Sequence, residues 1–97
     1  MRVIAGTARS LQLKTVDSMD TRPTQDRIKE TLFNILQFEV QGIDFLDLFA
    51  GSGGIGIEAI SRGACRAVFV DNAPKSIRCI QENLEHCKFT DEGVVIA

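Results

Sequence analysis

The stretch DLFAGSGGIG, Asp47 to Gly56, decides how this chain is read. It follows the run IDFLDLF, residues 43–49, in which apolar side chains are broken only by Asp44 and Asp47. Such a short, β-prone run reads as a buried strand. The residues after it, GSGGIGIEAISRG, read as a loop running into a helix. Ile55, Ala59 and Ile60 point inward, and Gly63 stops the helix behind Arg62. Gly51, Gly53 and Gly56 carry the spacing G-x-G-x-x-G. Alone that spacing means little, but between a strand and a helix it marks a ligand loop. Glycine opens backbone conformations closed to other residues, and its missing side chain lets a ligand reach the main chain. The helix start adds free N–H groups and a positive dipole end. The other reading is a tight turn with no ligand.

Working outward, RAVFVDN (66–72) reads as the next strand and APKSIRCIQENLEHCKF (73–89) as the next helix. Pro74 sits near that helix's first turn. Ile77, Ile80, Leu84 and Cys87 form its inward stripe. GVVIA (93–97) begins a third strand. The order strand, helix, strand, helix, strand predicts an α/β parallel sheet with right-handed crossovers. Upstream, RPTQDRIKETLFNILQF (22–38) reads as a helix with Thr24 as N-cap and Asp26 in its first turn. Its expected apolar face is Ile28, Leu32, Ile35 and Leu36, and Gly42 marks the exit. RVIAG and LQLKTV around the turn GTARS predict an N-terminal β-hairpin, followed by the polar linker VDSMDT. The expected organisation is a basic hairpin with linker over 1–20 and a ligand-binding unit over 21–97.

A chain of 97 residues supports one small domain, and charged residues at 25% are ordinary for a soluble protein. No apolar run approaches a membrane span and no signal-peptide segment opens the chain, so a cytoplasmic protein is expected. Cys65, Cys79 and Cys87 are odd in number and make no Cys-x-x-Cys pair, which disfavours disulfides and a metal site. Cys79 and Cys87 are expected as small core groups, and His86 as a helix-end residue. The net charge of −2 argues against a chain that coats nucleic acid. Its first sixteen residues nevertheless carry Arg2, Arg9 and Lys14 and no acid. That arm suits either phosphate contact or a solvated strand edge.

Asp71, at the end of the second strand, lies twenty residues beyond Gly51. A carboxylate there can accept both hydroxyls of an adenosine ribose; the alternative is a solvated strand-end acid. Asp47 separates two adenosine ligands. A dinucleotide would bring its pyrophosphate against this carboxylate and be repelled. S-adenosylmethionine (SAM) brings an ammonium and a sulfonium, which an acid attracts. A structural acid capping the loop is the other reading of Asp47.

DLFAGSGGIGIEA resembles the first SAM-binding motif of class I methyltransferases. Together with RVIAGTARSLQL, RPTQDRIKETLFNIL, EAISRGA and FVDN, it resembles the bacterial 16S ribosomal RNA guanine-N2 methyltransferase family. Members of that family are often called N6-adenine-specific DNA methylases because the catalytic motif is shared. The resemblance implies a Rossmann-like SAM-dependent methyltransferase fold. It implies that Asp47, Phe49, Ala50, Gly51, Ser52 and Gly53 hold the methionine and adenosine of SAM, with Asp71 on the ribose and Asn72 near the adenine. It implies that Arg22, Pro23, Thr24 and Asp26 approach cofactor and substrate, although they also suit a plain helix start. Arg2, Arg9 and Lys14, with Arg22 and Thr24, would be substrate contacts to 16S rRNA or the small ribosomal subunit.

The family's catalytic motif, Asp/Asn-Pro-Pro-Tyr/Phe after a fourth strand, has no counterpart here, since Pro23 and Pro74 are the chain's two prolines. No residue is therefore assigned as catalytic. The expectation is the SAM-binding half of the fold, truncated after the third core strand, inactive alone and self-associating through the exposed edge of the first core strand. Three rivals stand beside it. An NAD(P)-binding oxidoreductase domain is opposed by Asp47 and the hairpin. A cofactor-free RNA-binding module leaves the glycine loop and Asp71 unexplained. An N6-adenine DNA methylase differs only through the hairpin and the RPTQDR segment.

Overall fold

The computed structural model describes residues 1–15, 22–48 and 50–97, without the side chains of 22–26. In chain order the elements are α1 (Arg22–Leu36), β1 (Asp44–Asp47), α2 (Gly54–Ser61), β2 (Arg66–Val70), α3 (Pro74–Cys87) and β3 (Gly93–Ile96). The strands form one parallel sheet in the order β1-β2-β3. Asp44 pairs with Arg66 and Asp47 with Phe69, while Ala67 pairs with Gly93 and Val70 with Ile96. The expected strand-helix alternation is the observed one. Both crossovers step the same way along the sheet, and α2 and α3 pack into one core over the same face.

Side chains alternate across a sheet, so the register sorts them. Phe45, Asp47, Ala67, Phe69 and Val95 share the helix-covered face. There Ala67, Phe69, Ile57, Ile60, Ile80 and Leu84 build the main core. Gly56 lets α2 lie directly on this layer, because a Cβ at that position would overlap the Phe69 ring. On the opposite face Leu46, Val94 and Ile96 are exposed and Val68 and Val70 half-buried. β1 was expected as a buried strand. Among the described residues it is an edge strand with β2 as its neighbour, in line with the expected free edge of the first core strand, and its residues alternate between exposed and half-buried rather than buried.

α1 differs from its expected face. Ile28 is 60% and Ile35 73% exposed, whereas Lys29 is 1% exposed and Phe33 fully buried. Phe33 packs with Val40, Ala59 and Ala64, flanked by Leu32, Leu36, Phe45 and Ile55. The Arg62 guanidinium lies 5.0 Å from its ring centre, a cation–π contact. The helix begins at Arg22, so Thr24 falls inside its first turn rather than at the cap, and Asp26 lies beyond that turn. α3 follows expectation. Pro74 opens it behind Ala73, Lys88 ends it with a φ of 62°, and His86 lies in its last turn. Cys79 and Cys87 are buried and free of disulfides. Burial pushes both thiols up, which keeps them protonated core groups.

The paired part of the N-terminal arm is a single antiparallel bridge, Arg2 to Gln12. Around it the Val3 N–H donates to the Leu11 carbonyl at 2.9 Å, the Leu13 N–H to the Met1 carbonyl at 2.8 Å and the Ser10 N–H to the Val3 carbonyl at 2.8 Å, and further polar groups bond to the helices. The Thr7 N–H donates to the Ser61 carbonyl, and the Ala8 N–H to the Ser61 hydroxyl. Val3, Ala8 and Leu13 enter the main core. Gly6 permits this approach with a φ of 90°, and a Cβ there would overlap the Ser61 carbonyl. Partners on α2 and α3 thus supplement the arm's own backbone bonds.

Candidate functional site

The glycine loop continues the sheet before it turns. The Ala50 N–H donates to the Val70 carbonyl at 3.2 Å, and the Gly53 N–H closes a turn on the Ala50 carbonyl at 2.8 Å. Gly53 is the N-cap of α2 with a φ of 85°, the left-handed conformation that glycine adopts at little cost. Gly51 also has positive φ, 58°, and a Cβ there would meet nothing within 4 Å. The loop backbone is thus open to an approaching group at Gly51, while Gly54 and Gly56 are closed by Met1 and Phe69. A cleft of about 270 Å³ lies beside the loop, with Met1, Ile28, Lys29, Ala50, Gly51 and Ser52 among its walls.

Asp71 reaches back from the end of β2 to the loop. One carboxylate oxygen accepts the Gly51 N–H at 2.9 Å and the other the Ala73 N–H at 2.9 Å. The Ala73 N–H first, then that of Gly51, holds this carboxyl below the usual range against an opposing push from burial. The Ser76 side chain and the Asn72 N–H add smaller contributions in the same downward direction. The linkage sign follows from the lowered value. The group's contribution to loop order is fully present above the ordinary carboxylate range and is lost only as pH falls through the depressed folded value. An NMR titration is therefore expected to show the Gly51 and Ala73 amide shifts moving together, at lower pH than an unperturbed aspartate. A midpoint at or above the ordinary value would contradict it.

Asp47 ends β1 on the helix-covered face, half-buried, with its Oδ2 shut off from solvent. Ala50 is buried, Ser52 half-buried and Asn72 exposed. Phe49 lies outside the described residues, as do the side chains of Arg22 and Thr24, whose backbone opens α1. Asp71 and the glycine loop are brought into direct contact. The basic residues of the arm are exposed. Lys14 Nζ pairs with Glu82 at 3.3 Å in solvent, an interaction of little energetic weight. The larger groove of about 690 Å³ between Gln12–Lys14 and α3 carries Glu82 and Glu85. Those acids make that side of the arm unsuited to phosphate.

Two buried polar residues next to the loop were not singled out in the sequence. Glu58 is fully buried on α2. It accepts the Ile4 and Ala5 N–H groups at 2.9 and 3.0 Å, pairs with Lys29 Nζ at 3.4 Å and accepts from Arg62 Nε at 2.8 Å. Lys29 also donates to the Arg2 carbonyl at 2.7 Å. Asn83, on α3, accepts the Lys14 N–H and donates to the carbonyls of Lys14 and Ser52. The available signal was an acid inside the apolar run IEAI, and an Asn on the core side of α3. Among the described residues, no group of three His, Cys, Asp or Glu could hold a metal ion, and no helix is long and apolar enough to cross a membrane.

A positive-φ glycine loop tied to a strand-end carboxylate fits an adenosine ligand: the main chain is open at Gly51, an acceptor stands at Asp71, and Asp47 suits a cation. Comparison with known proteins agrees with the fold. The family model described as Conserved hypothetical protein 95 matches residues 1–97. The chain is 45% identical over 95 residues to the ribosomal RNA small subunit methyltransferase D of Escherichia coli, covering 98% of this chain and 48% of that protein. It is 40% identical to the protein of the same name from Haemophilus influenzae, covering 95% of this chain and 48% of the relative. The solved structure named "Putative methyltransferase yhhF from Escherichia coli" superposes with a TM-score of 0.87 at 35% identity, over 99% of this chain and 51% of that one. The chain thus spans about half the length of the curated relatives it matches. With a Rossmann-like methyltransferase fold and a family match along all 97 residues, this chain belongs to the Conserved hypothetical protein 95 family.

Proposed function

We propose that this chain forms the SAM-binding part of an rRNA methyltransferase that modifies guanine N2 in 16S rRNA. The observation that carries the reading is the Asp71 carboxylate tied to the Gly51 N–H across an open glycine loop. SAM would supply the methyl group. Asp71 would accept the ribose hydroxyls, Asn72 would lie by the adenine, and the backbone of Ala50 to Gly53 would line the nucleoside and methionine. Asp47 would attract the ammonium end. The cleft lined by Met1, Lys29 and Gly51 would take the methionine beside the loop. These residues would bind and orient the cofactor, since in methyl transfer much of the rate comes from aligning the two reactants. No residue of this chain is assigned to the reacting base.

The names of the relatives support rRNA as substrate. The exposed Arg2 and Arg9 offer cations to its backbone, and Arg22 and Thr24 complete the proposed contact set. Division into an arm over 1–20 and a cofactor-binding unit over 21–97, and a cytoplasmic location, belong to the same reading. The test is calorimetric titration of the 97-residue chain with S-adenosylhomocysteine, with NAD as control. Binding of the first alone is expected. Binding of NAD, or of neither, would overturn the cofactor reading. Salt-dependent 16S RNA binding that weakens in an Arg2→Ala, Arg9→Ala double variant tests the substrate reading.

The free edge of β1, with Leu46 and Leu48 exposed beside it, supports self-association with a second copy. Sedimentation across the micromolar range is expected to show concentration-dependent dimers. A strictly monomeric species would end that proposal.

A further inference from the structure

We propose that Asn83 is a positioning residue that couples the N-terminal arm to the cofactor loop; its role in binding rests on the SAM reading above. Its side chain is 1% exposed, so every polar atom it carries needs a protein partner. Oδ1 accepts the Lys14 N–H at 2.8 Å. Nδ2 donates to the Lys14 carbonyl at 2.9 Å and to the Ser52 carbonyl at 2.9 Å. This set fixes the amide's orientation, because a flipped amide would set its donors against the Lys14 N–H and its oxygen against two carbonyls. One side chain on α3 therefore holds both polar groups of an arm residue and one carbonyl of the glycine loop.

The three segments joined here are distant in sequence. Lys14 lies 69 positions before Asn83, and Ser52 lies 31 before it. Ser52 stands between the two glycines with positive φ, Gly51 and Gly53, whose freedom to reorient is large. A carbonyl held between them limits that freedom. The Cys79 thiol also donates to the Lys14 carbonyl at 3.3 Å. Anything that pulls on the arm, an RNA backbone included, is transmitted to the loop through this amide. By reciprocity, ordering of the loop by a ligand steadies the arm.

The test compares the parent chain with Asn83→Asp and Lys14→Pro by amide hydrogen exchange and by titration with S-adenosylhomocysteine. Asn83→Asp keeps an acceptor for the Lys14 N–H but turns oxygen toward two carbonyls. Lys14→Pro removes the N–H that Asn83 accepts and leaves α3 and the loop sequence intact. Exchange at Gly51 and Gly53 is read against Ala67, whose N–H bonds to the Glu92 carbonyl within the core. Both variants are expected to raise the loop-to-core exchange ratio by about tenfold or more and to weaken the ligand by a similar factor. A merely structural asparagine would speed loop and core together and leave the ratio unchanged. A parental ratio in Lys14→Pro would overturn the coupling, as would a parental ratio in Asn83→Asp. If the parent chain binds no S-adenosylhomocysteine, the cofactor reading falls, and the exchange ratios still decide whether arm and loop are coupled.

Discussion

Glu58→Ala is expected to remove about 3–5 kcal/mol of folding stability, a large part of the roughly 5–15 kcal/mol that holds a domain together. The carboxylate is fully buried and serves four donors: two backbone N–H groups of the arm, Lys29 and Arg62. Its loss leaves the Ile4 and Ala5 N–H groups without their acceptor and removes the carboxylate that pairs with the buried Lys29 and with Arg62. Breaking the buried ion pair is the larger of these effects. Arg62 is less affected, because its guanidinium still lies over Phe33. Urea denaturation of both chains reads the difference. A loss below about 1 kcal/mol would show that the cluster is worth no more than an exposed ion pair. Glu58→Gln should fall between, since one amide oxygen still accepts while its NH2 meets donors.

Asp71→Ala is expected to weaken S-adenosylhomocysteine by about a hundredfold or more. Two losses combine. The proposed ribose acceptor disappears, and so does the bond that holds Gly51. Asp71→Asn keeps an oxygen for one N–H and should lose less. Calorimetry at a temperature where both chains are folded separates affinity from stability. An affinity within about threefold of the parent would remove Asp71 from the cofactor site.

The helical and strand periods of residues 43–97 were legible because each element there is short, apolar and bounded by glycine or proline. Gly63 and Pro74 punctuate the chain where the structure does. α1 was read as a helix with a face that is half right: Leu32 and Leu36 pack against the core, while Ile28 and Ile35 do not. Ile28 and Ile35 fit an apolar stripe, yet the side packed inward is that of Lys29 and Phe33. Periodicity counts apolar residues and has no term for a lysine whose charge is met by a distant glutamate. The same blindness hid Glu58 and Asn83, whose partners lie 53 to 69 positions away in the arm. β1 looked buried because its composition is that of a central strand; its free edge was expected from the lack of a fourth-strand motif, and the order β1-β2-β3 has it at the edge. The glycine loop and Asp71 were found together because a fixed spacing links them, and the structure joins them by one hydrogen bond.

The arm that seats Val3, Ala8 and Leu13 in the core has a consequence for how the chain folds. Its bonds to Glu58, Ser61 and Asn83 close loops of 53 to 69 residues, among the longest this chain can make. Contacts of such sequence separation give their reward only after the loop's entropy has been spent, and they slow folding. The residues of the arm are therefore expected to be the last to dock. Until they do, one wall of the cleft, Met1, is missing and the clamp on Ser52 has no arm to hold. Pulse-labelled exchange during refolding should show the Ile4, Ala8 and Lys14 amides gaining protection after those of β2 and α3. The ligand site would then mature in the final step of folding, when the chain's two ends of assembly meet.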